Sequence, residues 1–171
     1  MNSNQLNDNE YASFYKNYIK TVGTSNLFEI LTTSHDKLIS AVKNLSEEKL
    51  IYRYAEGKWT IKELLQHLTD TERIMCYRAL RFSRNDKADL PGFEENWYVE
   101  NSNGNERKIQ DLLNEFALVR KSTIALFKSF TTKMLSTIGT IDGNNMSVRA
   151  LGFIVTGHQL HHLKVINERY L

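Results

Sequence analysis

The scarcity of proline is the feature that most restricts the fold of this chain. The 171-residue sequence contains one proline, Pro91. Because proline disrupts helix interiors, a chain almost free of it can form long helices. Apolar residues recur at i, i+3, i+4 and i+7 in four segments, and no segment alternates for long with the period of two that strands require. The sequence therefore predicts an all-α fold with at most minor strands.

Local signals indicate where the four helices begin. The first apolar stripe follows Ser25, and the second follows Thr60 and Glu63, which form a capping-box pattern. The third stripe begins at Ile109, and the fourth begins near Ser147 and runs almost to the C-terminus. Four amphipathic helices of about 17–25 residues predict a four-helix bundle.

The length fits one domain covering residues 1–171. Residues 1–24 are expected to form an N-terminal extension that is disordered over its first ten residues and then docks as a short helix. The docking helix is predicted from aromatic residues at helical spacing, namely Tyr11, Phe14, Tyr15 and Tyr18. The longest connection, Ser83–Gly104, holds Pro91 and several aromatic residues, so it is expected to pack over one end of the bundle.

Charge and cysteine content limit the partners and the location. The net charge of +2 and the lack of a basic run argue against nucleic acid or an anionic membrane as a partner. The single cysteine, Cys76, excludes an internal disulfide and fits a reducing compartment. The start of the chain has no signal-peptide pattern, and no apolar run reaches membrane-spanning length. We therefore expect a cytoplasmic protein without a membrane partner.

Three of the five histidines lie in the last helical segment. His158 and His162 are one helical turn apart, and both fall within the apolar arc of that helix. Two buried imidazoles require partners, and one metal ion could serve both. The alternative is a metal-free core in which each imidazole has its own hydrogen-bond acceptor. His161 lies about 80° from the other two and is expected at the rim or in solvent.

A metal site would need a third ligand from another helix. His35 on the first helix and His67 on the second are the candidates. Helical angles do not decide between them, since His67 lies at the edge of its apolar stripe.

Several stretches of the chain, from Leu27 to the end, resemble the DinB/YfiT-like superfamily. They are Tyr52–Glu63, His67–Arg73, Tyr77–Phe82, Leu90–Phe93, Gly157–His162 and Glu168–Leu171. The resemblance implies a four-helix bundle with an internal divalent-metal site formed by one histidine of the second helix and an HxxxH pair of the last. In this chain those ligands are His67, His158 and His162, which leaves out His35 and His161.

The resemblance also implies a reaction class. Three neutral histidines without a protein carboxylate leave positions on the ion open to water or substrate, which is the pattern of catalytic sites. Zinc or nickel fits three imidazoles. Relatives include bacillithiol-transferase-like enzymes that use low-molecular-weight thiols, and others are metal-dependent hydrolases. The expectation is a metal-dependent S-transferase or hydrolase with a small-molecule substrate, a thiol co-substrate in the first case, and a homodimeric assembly. The alternative is a non-catalytic, metal-stabilised bundle that serves binding or dimerisation.

Two charged residues fall near the centres of apolar stripes. Glu72 and Arg120 are expected to form a buried ion pair between the second and third helices; alternatively, one of them faces the metal cavity as an acid, base or anion anchor. Asp70 could orient the His67 imidazole. Cys76 is expected to be an inert core thiol. Three aromatic residues could line the mouth of the site, namely Trp59, Trp97 and Tyr98.

Overall fold

A computed structural model describes the whole chain, residues 1–171. The helices are α1 (Lys16–Val22), α2 (Leu27–Val42), α3 (Glu47–Leu50), α4 (Ile61–Ser83), α5 (Glu95–Glu100), α6 (Ile109–Lys128), α7 (Thr132–Leu135) and α8 (Val148–Val165). The strands are β1 (Asp89–Leu90), β2 (Ile138–Ile141) and β3 (Asn144–Ser147). The four long helices, α2, α4, α6 and α8, form the predicted four-helix bundle. A π-helical turn, Ile166–Tyr170, continues α8.

Side-chain caps fix the starts of three long helices. The backbone N–H of Glu63 donates to Thr60 Oγ1 over 3.1 Å, and the N–H of Thr60 donates to Glu63 Oε2 over 2.7 Å, which confirms the capping box of α4. Ser147 caps α8 as predicted. The cap of α2 is Asn26, one residue after the predicted Ser25, because the Asn26 side chain accepts from the N–H of Phe28.

A layer of buried polar side chains divides the core of the bundle into two apolar clusters. The first cluster contains Leu27 and Leu31 of α2 with three residues of α4, namely Met75, Ala79 and Phe82. The second contains Leu38 of α2 with four residues of α4, namely Ile61, Leu64, Leu65 and Leu68. We call the residues between them the polar layer: Ser34, His67, Thr69, Thr71, Glu72, Arg120, Thr123, Thr156, His158 and Gln159.

The order of the two clusters along each helix gives the helix directions. α2 and α8 run from the first cluster to the second, whereas α4 and α6 both run from the second to the first. Two consecutive parallel helices need a connection as long as the bundle, since the chain must return to its starting end. Residues 84–108 make this return, with β1 and α5 within them.

A small sheet lies at the first-cluster end. β1 pairs in parallel with β2, and β2 pairs antiparallel with β3. Asp142 and Gly143 join β2 and β3 with φ values of 48° and 72°, a tight turn that glycine favours. The sheet fits the expectation that strands are minor, because none of its strands exceeds four residues.

The N-terminal extension differs from its prediction in one respect. The first ten residues, expected to be disordered, form short 3-10 turns that pack on the bundle, with Leu27 N–H donating to Met1 O over 3.1 Å. Glu10 is buried and paired with Arg149 of α8, which holds the segment in place. The predicted docking helix is α1. None of the helices combines the length and the apolar character that a membrane span requires.

Candidate metal centre

Three histidines converge between α4 and α8. His67 Nε2 and His162 Nε2 each lie 3.0 Å from His158 Nε2. His158 and His162 occupy one face of α8 on successive turns, and His67 of α4 lies opposite them. The structure therefore brings together the three residues that the resemblance selected.

The spacing of the nitrogen atoms fits one bound cation. Ligand nitrogens at about 2.0–2.1 Å from a single ion lie roughly 3–3.4 Å from one another. The two distances from His158 Nε2 are 3.0 Å, and all three ligand atoms lie within 4.8 Å of one another. Direct hydrogen bonding alone accounts for the cluster poorly, because each neutral Nε2 is either a donor or an acceptor and no carboxylate is among its hydrogen-bond partners. The three lone pairs could all bind one cation.

Burial keeps the three imidazoles neutral. It lowers the pKa of His67 to about 4. Burial, reinforced by His67 and His161, lowers the pKa of His162 to about 3. The pKa of His158 is held well below its ordinary value, first by burial and then by His162 and His67. Neutral imidazoles have free lone pairs at physiological pH, as metal ligation requires.

The surroundings of His67 differ from one expectation. Asp70, expected to orient this imidazole, instead accepts a hydrogen bond from Gln66 and pairs with Arg73. The atom that contacts His67 Nδ1 is instead Thr71 Oγ1, at 3.5 Å. The Trp59 ring lies 4.7 Å from the His67 ring, centroid to centroid.

The two other histidines lie outside the cluster. His35 stacks on Phe116, with ring centroids 5.3 Å apart, and its Nδ1 faces Asp36. His161 is exposed, as the helical angles predicted. The structure thus places His67, and not His35, beside His158 and His162, whereas residue spacing alone left both open.

Glu72 and Arg120 form the predicted buried ion pair. Arg120 Nε and Nη2 each donate to the Glu72 carboxylate over 2.8 Å. The remaining Arg120 donors reach Leu31 O, Ser34 Oγ and Gln159 Oε1. Neither member of the pair lines the cavity beside the histidines, so the alternative role as an acid, base or anion anchor in that cavity finds no support.

A cavity of about 280 Å³ reaches His158. We call it the first cavity. Its walls come from the N-terminal segment, α4, the residue 91–95 connection and the β2–β3 hairpin, and they include Tyr15, Tyr18, Met75 and Arg78. Sequence reasoning did not single out Arg78. The signal was available, since Arg78 lies three residues after Met75 and four before Phe82, on the apolar stripe of α4.

A second cavity, of about 240 Å³, reaches His162 from another direction. Its lining includes Tyr54, Trp59 and Tyr170. Of the three aromatic residues expected at the mouth of the site, only Trp59 is found there; Trp97 and Tyr98 are exposed and line a separate surface depression.

Cys76 takes no part in either cavity. Burial raises the pKa of its thiol to about 12, and its Sγ contacts Thr123 Oγ1 at 3.2 Å. A thiol that stays protonated at neutral pH is a weak nucleophile, as expected for an inert core residue.

The fold and the site together define a helical bundle with a buried three-histidine centre that is accessible through cavities. Residues 30–166 match the DinB superfamily, and the chain belongs to that superfamily. All three histidines lie within the matched range.

Individual relatives point to metal-dependent proteins. A protein of Oceanobacillus iheyensis named "Putative metal-dependent hydrolase" is 25% identical over 137 residues, which are 78% of this chain and 77% of the relative. A Geobacillus thermodenitrificans protein of the same name is 28% identical over 131 residues, 74% of this chain and 72% of the relative.

A solved structure shows the same fold. YfiT from Bacillus subtilis, described as a probable metal-dependent hydrolase with an unusual four-helix bundle topology, has a TM-score of 0.73 and 18% sequence identity. The similarity covers 83% of this chain and 82% of YfiT.

Proposed function

We propose that this protein is a metal-dependent enzyme that acts on a small molecule, with His67, His158 and His162 as the metal ligands. The observation that carries the proposal is the convergence of three neutral Nε2 atoms beside a cavity of about 280 Å³. The names of the two relatives, both metal-dependent hydrolases, support it. The proposed metal is a divalent ion, zinc or nickel, because imidazole nitrogen suits both.

When bound, a divalent ion at this site would supply Lewis acidity and lower the pKa of a coordinated water or thiol. The chain contributes the surroundings. Three neutral ligands leave the charge of the ion uncompensated, which favours an anionic ligand in the remaining positions. Trp59 packs against the His67 ring, with centroids 4.7 Å apart, and contributes an apolar wall, beside which electrostatic interactions are stronger than in bulk water.

Hydrolysis is the reaction that the relatives support. It adds the hydrogen and the hydroxyl of one water across the bond that breaks. The first cavity offers space for the substrate beside His158.

Thiol-dependent S-transfer is the second candidate, and the two cavities favour it. A transferase must hold a thiol and an electrophile together, and the first and second cavities reach His158 and His162 separately. In such a reaction a carbon–sulfur bond forms, the bond to the leaving group breaks, and the thiol proton departs with the leaving group. Bacillithiol and mycothiol represent the class of thiol that would be tested.

The test combines metal analysis with activity. The purified protein is loaded with zinc or nickel, its metal content is measured by mass spectrometry, and ester, amide and thiol-plus-electrophile substrates are screened. We expect one bound ion per chain, turnover that disappears on chelation and returns on reloading, and loss of both metal and turnover in His67→Ala. His35→Ala is the control, because His35 lies outside the cluster. Full activity in metal-free protein would refute the proposal.

A non-catalytic, metal-stabilised module for binding or dimerisation is the remaining alternative. It predicts bound metal without turnover of any substrate class and without exchangeable water on the ion. Paramagnetic relaxation of solvent water by a cobalt-loaded sample would reveal an open position. The homodimer and the cytoplasmic location stay predictions, and sedimentation analysis would test the first.

A further inference from the structure

Arg78 is a buried charge without a charged partner. Only 4% of the surface of Arg78 is exposed to solvent. A guanidinium group carries five N–H donors, yet its hydrogen bonds are one to Pro91 O at 2.6 Å and a weak one to Met75 Sδ at 3.7 Å. The ring of Phe93 lies 5.8 Å from its central carbon. No carboxylate lies within ion-pair distance of Arg78.

Arg120 shows how the same fold satisfies a buried arginine. It is 2% exposed and makes five hydrogen bonds, two of them to the Glu72 carboxylate. Burying a guanidinium without an opposite charge is costly, because the lost hydration is not replaced. The donors of Arg78 that lack a protein partner therefore indicate a binding position for an anion.

The position of Arg78 indicates which molecule would supply that anion. Arg78 and His158 line the same cavity. Two carboxylates, Glu95 and Asp142, also line it, but both residues are exposed and neither lies within ion-pair distance of Arg78. The negative charge of Asp142 acts on Arg78 only from further away, and burial still lowers the pKa of the guanidinium. The charge of the two carboxylates disfavours a second anionic group at the mouth. The side of the cavity formed by Arg78 is thus suited to one anionic group, and the rim to a neutral or cationic one.

We propose that Arg78 binds the carboxylate or phosphate group of a small anionic substrate in the first cavity. The planar guanidinium can hold either group through two parallel hydrogen bonds. The other end of the molecule would then lie near the histidines, and this second part rests on the proposed metal-dependent function. The substrate class is a small acid with a single anionic group, of a size that a cavity of about 280 Å³ accepts.

The test compares an acid with its neutral isostere. Zinc-loaded protein is titrated with 3-mercaptopropionate and with 3-mercaptopropionamide, and the dissociation constants are measured by calorimetry. The two probes share the thiol, and only one carries a charge. We expect the acid to bind at least about tenfold more tightly, as for a charge-assisted hydrogen bond. Inorganic phosphate in a parallel titration distinguishes phosphate from carboxylate as the preferred group.

Three variants identify the residue responsible. Arg78→Met should remove the preference for the acid while the metal content is unchanged. Arg78→Lys, which retains the charge but not the bidentate geometry, should keep part of the preference. Arg81→Met is the matched control, because Arg81 pairs with Asp86 outside the cavity and its loss should change neither constant. Circular dichroism shows whether each variant is folded.

The Nε–H resonance of Arg78 in the NMR spectrum separates the two proposals. It should shift saturably with the acid or with phosphate and stay unchanged with the amide. Equal affinity for acid and amide in the wild type, or an Arg78 resonance that responds to no anion, would overturn the anion site and leave the metal site intact. Loss of metal binding with a normal Arg78 response would overturn the proposed function and retain the anion site.

Discussion

Two neighbouring groups of polar side chains lie in or next to the polar layer, and they differ in where their polar atoms find partners. The group around Glu72 and Arg120 links α2, α4, α6 and α8. All five hydrogen bonds of the Arg120 guanidinium are donated to oxygen atoms of the protein. In the group formed by His67, His158 and His162, the Nε2 atoms of His67 and His162 each lie 3.0 Å from that of His158. The two groups are direct neighbours, because His158 of the histidine cluster is followed in α8 by Gln159, which accepts a hydrogen bond from Arg120.

This difference separates a structural role from a binding role. Buried polar groups are almost always satisfied, and a network that is complete within the protein has nothing left to bind. A group that remains incomplete at the same depth needs a partner from outside the chain. The ion pair of Glu72 and Arg120 is a complete network, whereas the histidine cluster and Arg78 are incomplete groups.

The largest effect on metal binding is expected from His158→Ala. Because His158 Nε2 is the nitrogen shared by both short contacts, its loss should weaken metal binding at least about a hundredfold, more than typical outer-shell substitutions do. Competition with a chromophoric chelator measures the affinity. His161→Ala, an exposed neighbour on α8, is the control and should bind metal nearly as the wild type does. Wild-type affinity in His158→Ala would contradict the assignment.

Glu72→Ala tests the complete group. The substitution leaves the Arg120 charge buried without a carboxylate, so the free energy of unfolding should fall by about 3–5 kcal/mol. Urea denaturation measures the loss, and Glu56→Ala, in an exposed loop, should change the same quantity by no more than about 0.5 kcal/mol. Folded Glu72→Ala should still bind metal. A loss of metal affinity without a loss of stability would show that the two groups are not separate.

The Glu10–Arg149 pair is a second ion pair that is complete within the protein, and its contribution to stability should depend on pH. Burial raises the pKa of Glu10, but hydrogen bonds from Arg149, the Asn7 backbone and Ser147 outweigh it and lower the pKa to about 2, from 4.5. A lowered pKa in the folded state contributes stability above pH 4.5, and this contribution is lost as the pH falls towards 2.

The expected result is a pH-dependent difference between the wild type and Glu10→Gln. Their difference in unfolding free energy should shrink by about 2 kcal/mol between pH 6 and pH 3. Chemical denaturation at several pH values measures this difference. The contributions of the other carboxylates to the unfolding free energy cancel, because both proteins contain them. A difference independent of pH would mean that the Glu10 carboxylate is not paired in solution.

The smallest effect is expected from Thr60→Ala. The variant removes the side-chain cap of α4, the helix that carries both His67 and Glu72, and the hydrogen bond that Thr60 Oγ1 donates to Asn105 Oδ1. The expected cost is about 1–2 kcal/mol in unfolding free energy. Metal affinity should stay unchanged, since the cap lies almost two turns before His67. Thr131→Ala, which uncaps the four-residue α7, should cost less and serves as the control. A cost above that of Glu72→Ala would contradict the proposed ranking.

The sequence predicted what depends on local spacing. The capping box at Thr60, the start of α8 at Ser147 and the shared face of His158 and His162 follow from the geometry of one helix. The ion pair of Glu72 and Arg120 was also predicted, because a charge at the centre of an apolar stripe needs a nearby partner.

The remaining features depend on how separate elements pack. Helix angles could not choose between His35 and His67, since they do not give the rotation of one helix against another, and the choice came from the family resemblance. Asp70 was placed beside His67 from its spacing, but Thr71 makes the contact. The strand pairing of residues 89–90 with 140–141 is too short to leave a period-two pattern.

The way α1 rests on α8 bears on how members of this superfamily could diversify. A Cβ on Gly157 would lie 2.1 Å from Tyr18 O, so the two helices meet through backbone atoms. The side chains of Tyr15 and Tyr18 are therefore left to shape the first cavity, and they precede the range 30–166 that the DinB superfamily shares. Exchanging Tyr15 and the residues of α1 that follow it would reshape the first cavity while the three histidines stay in place.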